Sequence, residues 1–153
     1  SVAFDRAPVQ RLGAILNSTV SDTREDVLDG LGVEDPVFAR DVRKAIFTFK
    51  DIALRVKPTD VSNCIRSVDA TILTTAIAAA LALDDAHVAS AEFILGSISQ
   101  RMAGQLREDA NERGPVRKID AESAMSEITK AIREMVDGGV ITLRDPDDED
   151  QVP

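Results

Sequence analysis

The sequence predicts an all-α fold of two helical subdomains joined by a hinge, and three observations carry that expectation. At 153 residues and 44% hydrophobic, the chain can bury one core or two small ones. It has no Trp, no Tyr and only five Phe, so its interior must be Leu, Ile, Val and Ala, which favours helices packed closely through small residues. Apolar positions recur mostly at helical spacing, and Gly, Pro or a capping residue punctuates the runs.

Taken in order, Pro8 can start a first helix through Ile15 and Leu16 that ends near Asn17. Asp22 with Glu25 reads as a capping box for a short second helix stopping at Gly30 or Gly32. Asp35-Pro36 is an N-cap followed by Pro at the first helical position, and Val37, Phe38, Val42, Ala45 and Ile46 supply the apolar positions of a third helix. Three short helices in this length make an orthogonal or armadillo-like unit, residues 1–47. In the next segment Phe47 and Phe49 alternate before Ile52, Leu54 and Val56, so residues 48–57 read as an extended linker or short strand competing with helix. Helices are then expected at about 59–67, 70–82, 85–97, 99–112 and 120–137, with Asp84, Ser99 and Asp120 as caps and Gly138-Gly139 as the final stop. Val140-Ile141-Thr142-Leu143 is β-prone and too short for a helix, and is expected to lie back on the second unit, residues 58–143. Residues 144–153, rich in Asp and Glu, read as an acidic disordered tail.

One stretch carries more functional information than the rest. Winding Ser99–Arg113 at about 100° per residue puts Ile98, Met102, Leu106 and Ala110 on one face, with Arg101, Gln105, Glu108 and Glu112 as a mixed-charge stripe beside it. Docked by its apolar face, such a helix holds a row of charges outward, and Gly114-Pro115 ends it with a left-handed cap. Asp109 falls at the edge of the apolar face, where it can pair with Arg113 or Arg117 or join the charged row. A charged row can read another charged surface, but it contains no nucleophile, metal cluster or phosphate loop.

The rest of the composition narrows the function. A net charge of −9 argues against nonspecific nucleic-acid binding, which needs clustered Lys and Arg. No apolar run reaches the roughly 18 residues that a membrane helix needs. The single Cys64 has no internal disulfide partner and reads as a packed thiol in a reducing compartment. His87 stands beside Asp84 and Asp85 as a helix-start residue rather than a ligand or base. No general base has a partner at suitable spacing, so no catalytic residue, cofactor or metal site is expected. The chain opens on Ser1, not Met, and is expected to be a piece of something longer.

Four motifs in fixed order then make the chain recognisable: Val9–Asn17 (VQRLGAILN), Ile46-Phe47-Thr48-Phe49, Ile65-Arg66-Ser67-Val68-Asp69, and Ser99-Gln100-Arg101 followed by Gly114-Pro115-Val116-Arg117. Together they resemble the C-terminal half of the flagellar motor switch FliG family over about residues 9–143, with Arg101 sixteen residues before Arg117 as the family pattern requires. The resemblance implies a right-handed superhelical, armadillo-like fold: a second armadillo-like unit at 1–47, a hinge linker at 48–57 with Ile46, Phe47, Thr48 and Phe49 as the hinge residues at its junction with that unit, and a torque-generating domain at 58–143. It implies a rotor protein in a cytoplasmic ring at the inner-membrane base of the flagellum, meeting the cytoplasmic loop of a MotA-type stator, the switch protein FliM and neighbouring subunits. Arg101, Glu108, Asp109 and Arg117 match the family's stator-contacting charges, Glu108 standing where the family has Asp. A family Lys is replaced by Ala78 within Ile77-Ala78-Ala79-Ala80, and an insertion precedes Glu92. That loss keeps open a relative with a scaffold role and no torque contact. A regulatory domain of a magnesium transporter, built on similar helical repeats, is a further alternative, although it leaves the Gly-Pro-Val-Arg module unexplained.

Overall fold

The computed structural model describes residues 2–145, with side chains from Ala7 onward. Every regular element among them is helical. The described chain divides into two compact units, with the boundary between Phe47 and Thr48.

The first unit holds α1 (Val2–Asn17), α2 (Ser21–Glu34) and α3 (Pro36–Ala45). Its core is Leu16, Leu28, Val42 and Ile46, with Val9, Leu12 and Phe38 packed on it. Gly13 explains how closely α1 and α3 approach: a Cβ there would stand 2.9 Å from that of Ala45, too near for any side chain. Asp35 caps α3 as expected, accepting from the Phe38 N–H at 3.1 Å, and Pro36 follows it in the first turn. Four expectations fail. Pro8 lies inside α1 rather than at its start. The Asp22/Glu25 box does not form: Val20 is the N-cap of α2 and makes no side-chain cap. Nor does α2 stop at Gly30 or Gly32; both have open space around them, so their cost is only their propensity, and the helix runs on to the Asp35-Pro36 break. Val37, expected in the core, is 59% exposed, while Ala39 is buried.

Residues 48–57 depart furthest from expectation. They are a 3₁₀ turn, Phe49–Asp51, running into α4 (Ile52–Arg55), and they are built into the second unit. Asp51 nucleates the turn by reaching back to its start: Oδ2 accepts from the Thr48 N–H at 2.8 Å and from the Thr48 hydroxyl at 3.0 Å, while the Asp51 N–H closes the turn on the Thr48 carbonyl at 2.9 Å. Phe49, Ile52 and Val56 are buried, a helical spacing of three and four that the Phe47/Phe49 alternation disguises. Phe47, also buried, closes the first unit, its N–H donating to Asn17 Oδ1 at 2.9 Å.

The second unit continues with a 3₁₀ turn (Pro58–Asp60) leading into α5 (Val61–Ile65), then α6 (Ala70–Leu81), α7 (Asp85–Gly96), α8 (Gln100–Arg113) and α9 (Lys118–Asp137). The alanine-rich α6 is the central element, packed against α7, α8 and α9. Ala76, Ile77 and Ala80 are fully buried there, facing a core that includes Ile94 and Ile128. Small residues let the helices close in from three sides. Asp69, Asp84 and Ser99 cap α6, α7 and α8 through their side chains. Cys64 is buried, and desolvation, reinforced by the Asp60 charge, pushes its thiol up to about 11, so it is an inert packed group. Ile141 is buried in the segment after α9, which lies back on this unit. The expected acidic tail begins at Arg144, which is hydrogen-bonded to Arg55; residues 146–153 lie outside the described residues.

Candidate functional site

Helix α8 is held by a narrow apolar strip. Leu106 and Ala110 are buried and Ala103 half-buried, a spacing of three and four, whereas Met102, expected in the core, is 53% exposed. The buried stripe therefore passes through 103, 106 and 110. Met102 lies in the first turn, well round the helix from the centre of that stripe. On the opposite side Arg101, Gln105, Glu108 and Glu112 are all exposed, forming the ridge that the sequence predicts. Arg101 and Glu108 make no hydrogen bond or ion pair among the described residues, so both charges are available to an external partner.

The other two predicted residues are engaged locally. Asp109 pairs with neither Arg113 nor Arg117, since its carboxylate accepts from Gln105 Nε2 one turn away at 2.9 Å. Arg113 instead reaches the Pro115 carbonyl at 3.4 Å. The Arg117 side chain is 82% exposed and donates from Nε to Asp120 Oδ2 at 3.1 Å. Asp120 is thus not the helix cap that the sequence predicts. Arg117 occupies the N-cap position of α9, without a side-chain cap, and Asp120 sits in the first turn, where a carboxylate also complements the helix dipole.

Gly114 sets the path between the two arginines. Its φ of 70° and ψ of −159° place it in a region that only glycine enters readily, so it ends α8 with a positive φ although its ψ is not that of the left-handed helix. A Cβ there would meet no other atom within 4 Å, which makes the constraint purely one of backbone. Gly114→Ala is accordingly expected to cost about 1–3 kcal/mol by denaturant unfolding. It should also displace the resonances of Pro115–Arg117 more than those of the rest of α8.

Sequence reasoning missed two contacts, the pairing of Arg107 with Glu92 and the stacking of His87 on Phe49. Arg107 leaves α8 on the flank facing α7 and forms a two-pronged pair with Glu92, one arm at 3.0 Å. That hydrogen-bonded pairing holds the Glu92 carboxyl below the usual carboxylate range and the Arg107 guanidinium above its own. No local spacing announces a pair formed between two helices. The other feature is His87, whose backbone N–H donates to Asp84 Oδ1 at 3.1 Å while its ring Nδ1 lies 2.8 Å from the same oxygen. Its ring stacks on Phe49 with centroids 6.2 Å apart. The expected role as a helix-start residue is met, and the hydrogen bonding holds Asp84 below its ordinary range.

Among the described residues there is no group of three or more His, Cys, Asp or Glu side chains arranged to hold a metal ion. No helix among them is long and apolar enough to cross a membrane. An open cleft of about 330 Å³ lies beside Asp120, lined also by Thr71, Thr75, Arg113, Ser123 and Glu127.

Comparison with known proteins agrees with this architecture. The family model described as the FliG C-terminal domain matches residues 29–143. The flagellar motor switch protein FliG of Aquifex aeolicus is 32% identical over 131 residues, covering 86% of this chain and 38% of that protein. Its counterpart in Bacillus subtilis is 29% identical over 135 residues, covering 88% and 38% respectively. The chain therefore spans under two fifths of the length of these relatives. Full-length FliG of Aquifex aeolicus superimposes with a TM-score of 0.53 at 30% identity, covering 86% of this chain and 39% of that one. A FliG fragment from H. pylori superimposes with a TM-score of 0.61 at 20% identity, covering 87% and 59%, and that likeness bears on the fold alone.

Proposed function

Since the chain belongs to the FliG C-terminal domain family, we propose that it is the part of a flagellar rotor that contacts the stator through α8 and takes part in switching rotation. The observation that carries this reading is the ridge on α8: Arg101 and Glu108 stand exposed and unpaired among the described residues, with Arg117 held out by Gly114 just beyond. Opposite charges set two turns apart, about 10 Å, along one helix suit a partner of complementary pattern, here the cytoplasmic loop of a MotA-type stator. Each exposed pair contributes only about 0–1 kcal/mol, so contacts form and break readily as the stator cycles. Summed around a ring of such subunits they steer without trapping. The chain performs no catalysis in this scheme, and the energy comes from ion flow through the partner.

The same reading places the protein in the cytoplasm against the inner membrane, in a ring of neighbouring copies with the switch protein FliM. Its proposed domains are an armadillo-like unit at 1–47 and a torque unit beyond it. Switching would pivot where the two units meet, within Ile46-Phe47-Thr48-Phe49, because that is where the compact units divide. Asp109, tied to Gln105, would act mainly by shaping the potential of the ridge.

Ala78 favours a second reading, a ring scaffold without torque contact, because it removes one positive charge from the family pattern. The two readings part in a swimming assay of the full-length protein. If the torque reading is right, Arg117→Ala impairs swimming several-fold and adding Ala78→Lys restores much of the loss, since charges acting on one partner couple. Wild-type swimming by Arg101→Ala and Arg117→Ala alike, with normal abundance, would leave the scaffold.

A further inference from the structure

Helix α4 has only four residues, and isolated helices shorter than about 12 are marginal in water, so it depends on ties to other elements. Both of its ends are fastened to distant parts of the second unit. Near the start, the Ala53 N–H donates to Oγ of Ser90, a fully buried residue of α7, at 3.3 Å. At the end, the Arg55 carbonyl is one of the groups that a helix terminus leaves without an internal partner, and it accepts from the Arg144 N–H at 2.8 Å. Arg55 Nε donates back to the Arg144 carbonyl at 3.0 Å, and Lys57 Nζ lies 3.5 Å from Thr142 Oγ1. Residues 140–144 thus form a strap across the end of α4.

The strap itself is lightly held. It leaves α9 through a Schellman turn, in which the Gly139 N–H donates to the Val136 carbonyl at 3.0 Å and the Val140 N–H to the Met135 carbonyl at 2.9 Å, with Gly139 at a φ of 72°. Beyond that fixed end it has no helix or strand of its own. Ile141 is buried and Leu143 half-buried, whereas Val140, Thr142 and Arg144 are exposed. A segment with so few buried contacts opens at much lower free energy than the helices on which it rests.

We propose that the 140–144 strap is a releasable latch on α4, and that its engagement sets how freely residues 49–56 move just beyond the unit boundary at Phe47 and Thr48. Closed, it holds α4 between Ser90 and Arg144. Open, it leaves the Arg55 carbonyl without this donor, and the segment loosens while α6, α7, α8 and α9 stay packed. The consequence for rotation rests on the switching proposed for Ile46-Phe47-Thr48-Phe49. A pivot there works against whatever fixes the chain that follows it, so a closed latch stiffens the pivot and an open one frees it.

Amide hydrogen exchange on the 153-residue chain tests the latch. Arg144→Pro removes the donor to the Arg55 carbonyl and should accelerate exchange at Ala53 and Val56 together by about fivefold, the effect of one lost hydrogen bond, with Ile77 and Ile128 unchanged. Ile141→Ala keeps every hydrogen-bonding group and withdraws the buried anchor; it should accelerate Ala53, Val56 and Arg144 by at least as much. Unchanged exchange at Ala53 and Val56 in both variants overturns the latch, and so does acceleration spread equally over α6 and α9. Carried into the full-length protein, the same two substitutions should shift the rotational bias of tethered cells. Thr48→Ala, which perturbs the segment from its other end, separates the two ideas. If Thr48→Ala shifts the bias and the strap variants do not, the latch has no part in rotation and the proposal fails. If all three leave the bias at its wild-type value while exchange at α4 rises as expected, the switching reading is what fails and the latch stands on exchange alone.

Discussion

Phe49→Ala should destabilise the second unit by about 3–5 kcal/mol, the range for removing a fully packed Phe. For a unit of this size the loss lowers Tm by about 15 °C or more. Phe49 is 3% exposed, begins the buried 49–52–56 stripe, and stacks on His87. Denaturant unfolding followed by the amides of α7 is the measurement, since α7 packs directly on the 3₁₀ turn. A loss below about 1 kcal/mol would mean that Phe49 is not a core residue after all. Any change in rotational bias by this variant must be read against its instability. Thr48→Ala is the milder probe of the same segment, because it removes a cap and leaves the core filled.

Arg101→Glu is expected to abolish swimming, or nearly so, while shifting Tm by no more than a few degrees. Its side chain is exposed and unpaired among the described residues, so the fold loses nothing when the charge is reversed. A partner of complementary charge meets repulsion in place of attraction. Arg107→Ala, on the same helix, supplies the control. Arg107 is spent on Glu92, so its loss should cost about 1 kcal/mol or less as an exposed pair and leave swimming largely intact. Equal defects from both substitutions would show that swimming responds to any charge lost from α8, and the assignment of the ridge would fail.

The two variants differ because charge type is visible in a sequence and charge partnership is not. The periodicity of 99–113 indicates which residues of α8 face outward, and Arg101, Gln105, Glu108 and Glu112 do so. The same periodicity puts Met102 inside and Asp109 beside an arginine. Met102 fails because the wheel does not say which neighbouring helices cover the first turn, and Asp109 because the wheel offers it Gln105 and Arg113, each one turn away, without saying which it takes. Residues 48–57 fail for a related reason. Phe47 and Phe49 alternate in sequence, but each is buried in a different compact unit, so their spacing describes no single face.

What the sequence determined by itself was local or compositional: the all-α class, the caps at Asp35, Asp84 and Ser99, the need for glycine at 114, and the order of charges on α8. These depend on interactions within about one helical turn, which the chain spells out directly. Only the tertiary structure decided which charges are spent and which remain available. It pairs Arg107 with Glu92, fifteen positions away, and Arg55 with Arg144, eighty-nine away, while Arg101 and Glu108 stay free among the described residues. Such pairings form when packing of the apolar faces brings distant helices together. Their energy is too small to direct that packing, so no local pattern in the sequence announces them.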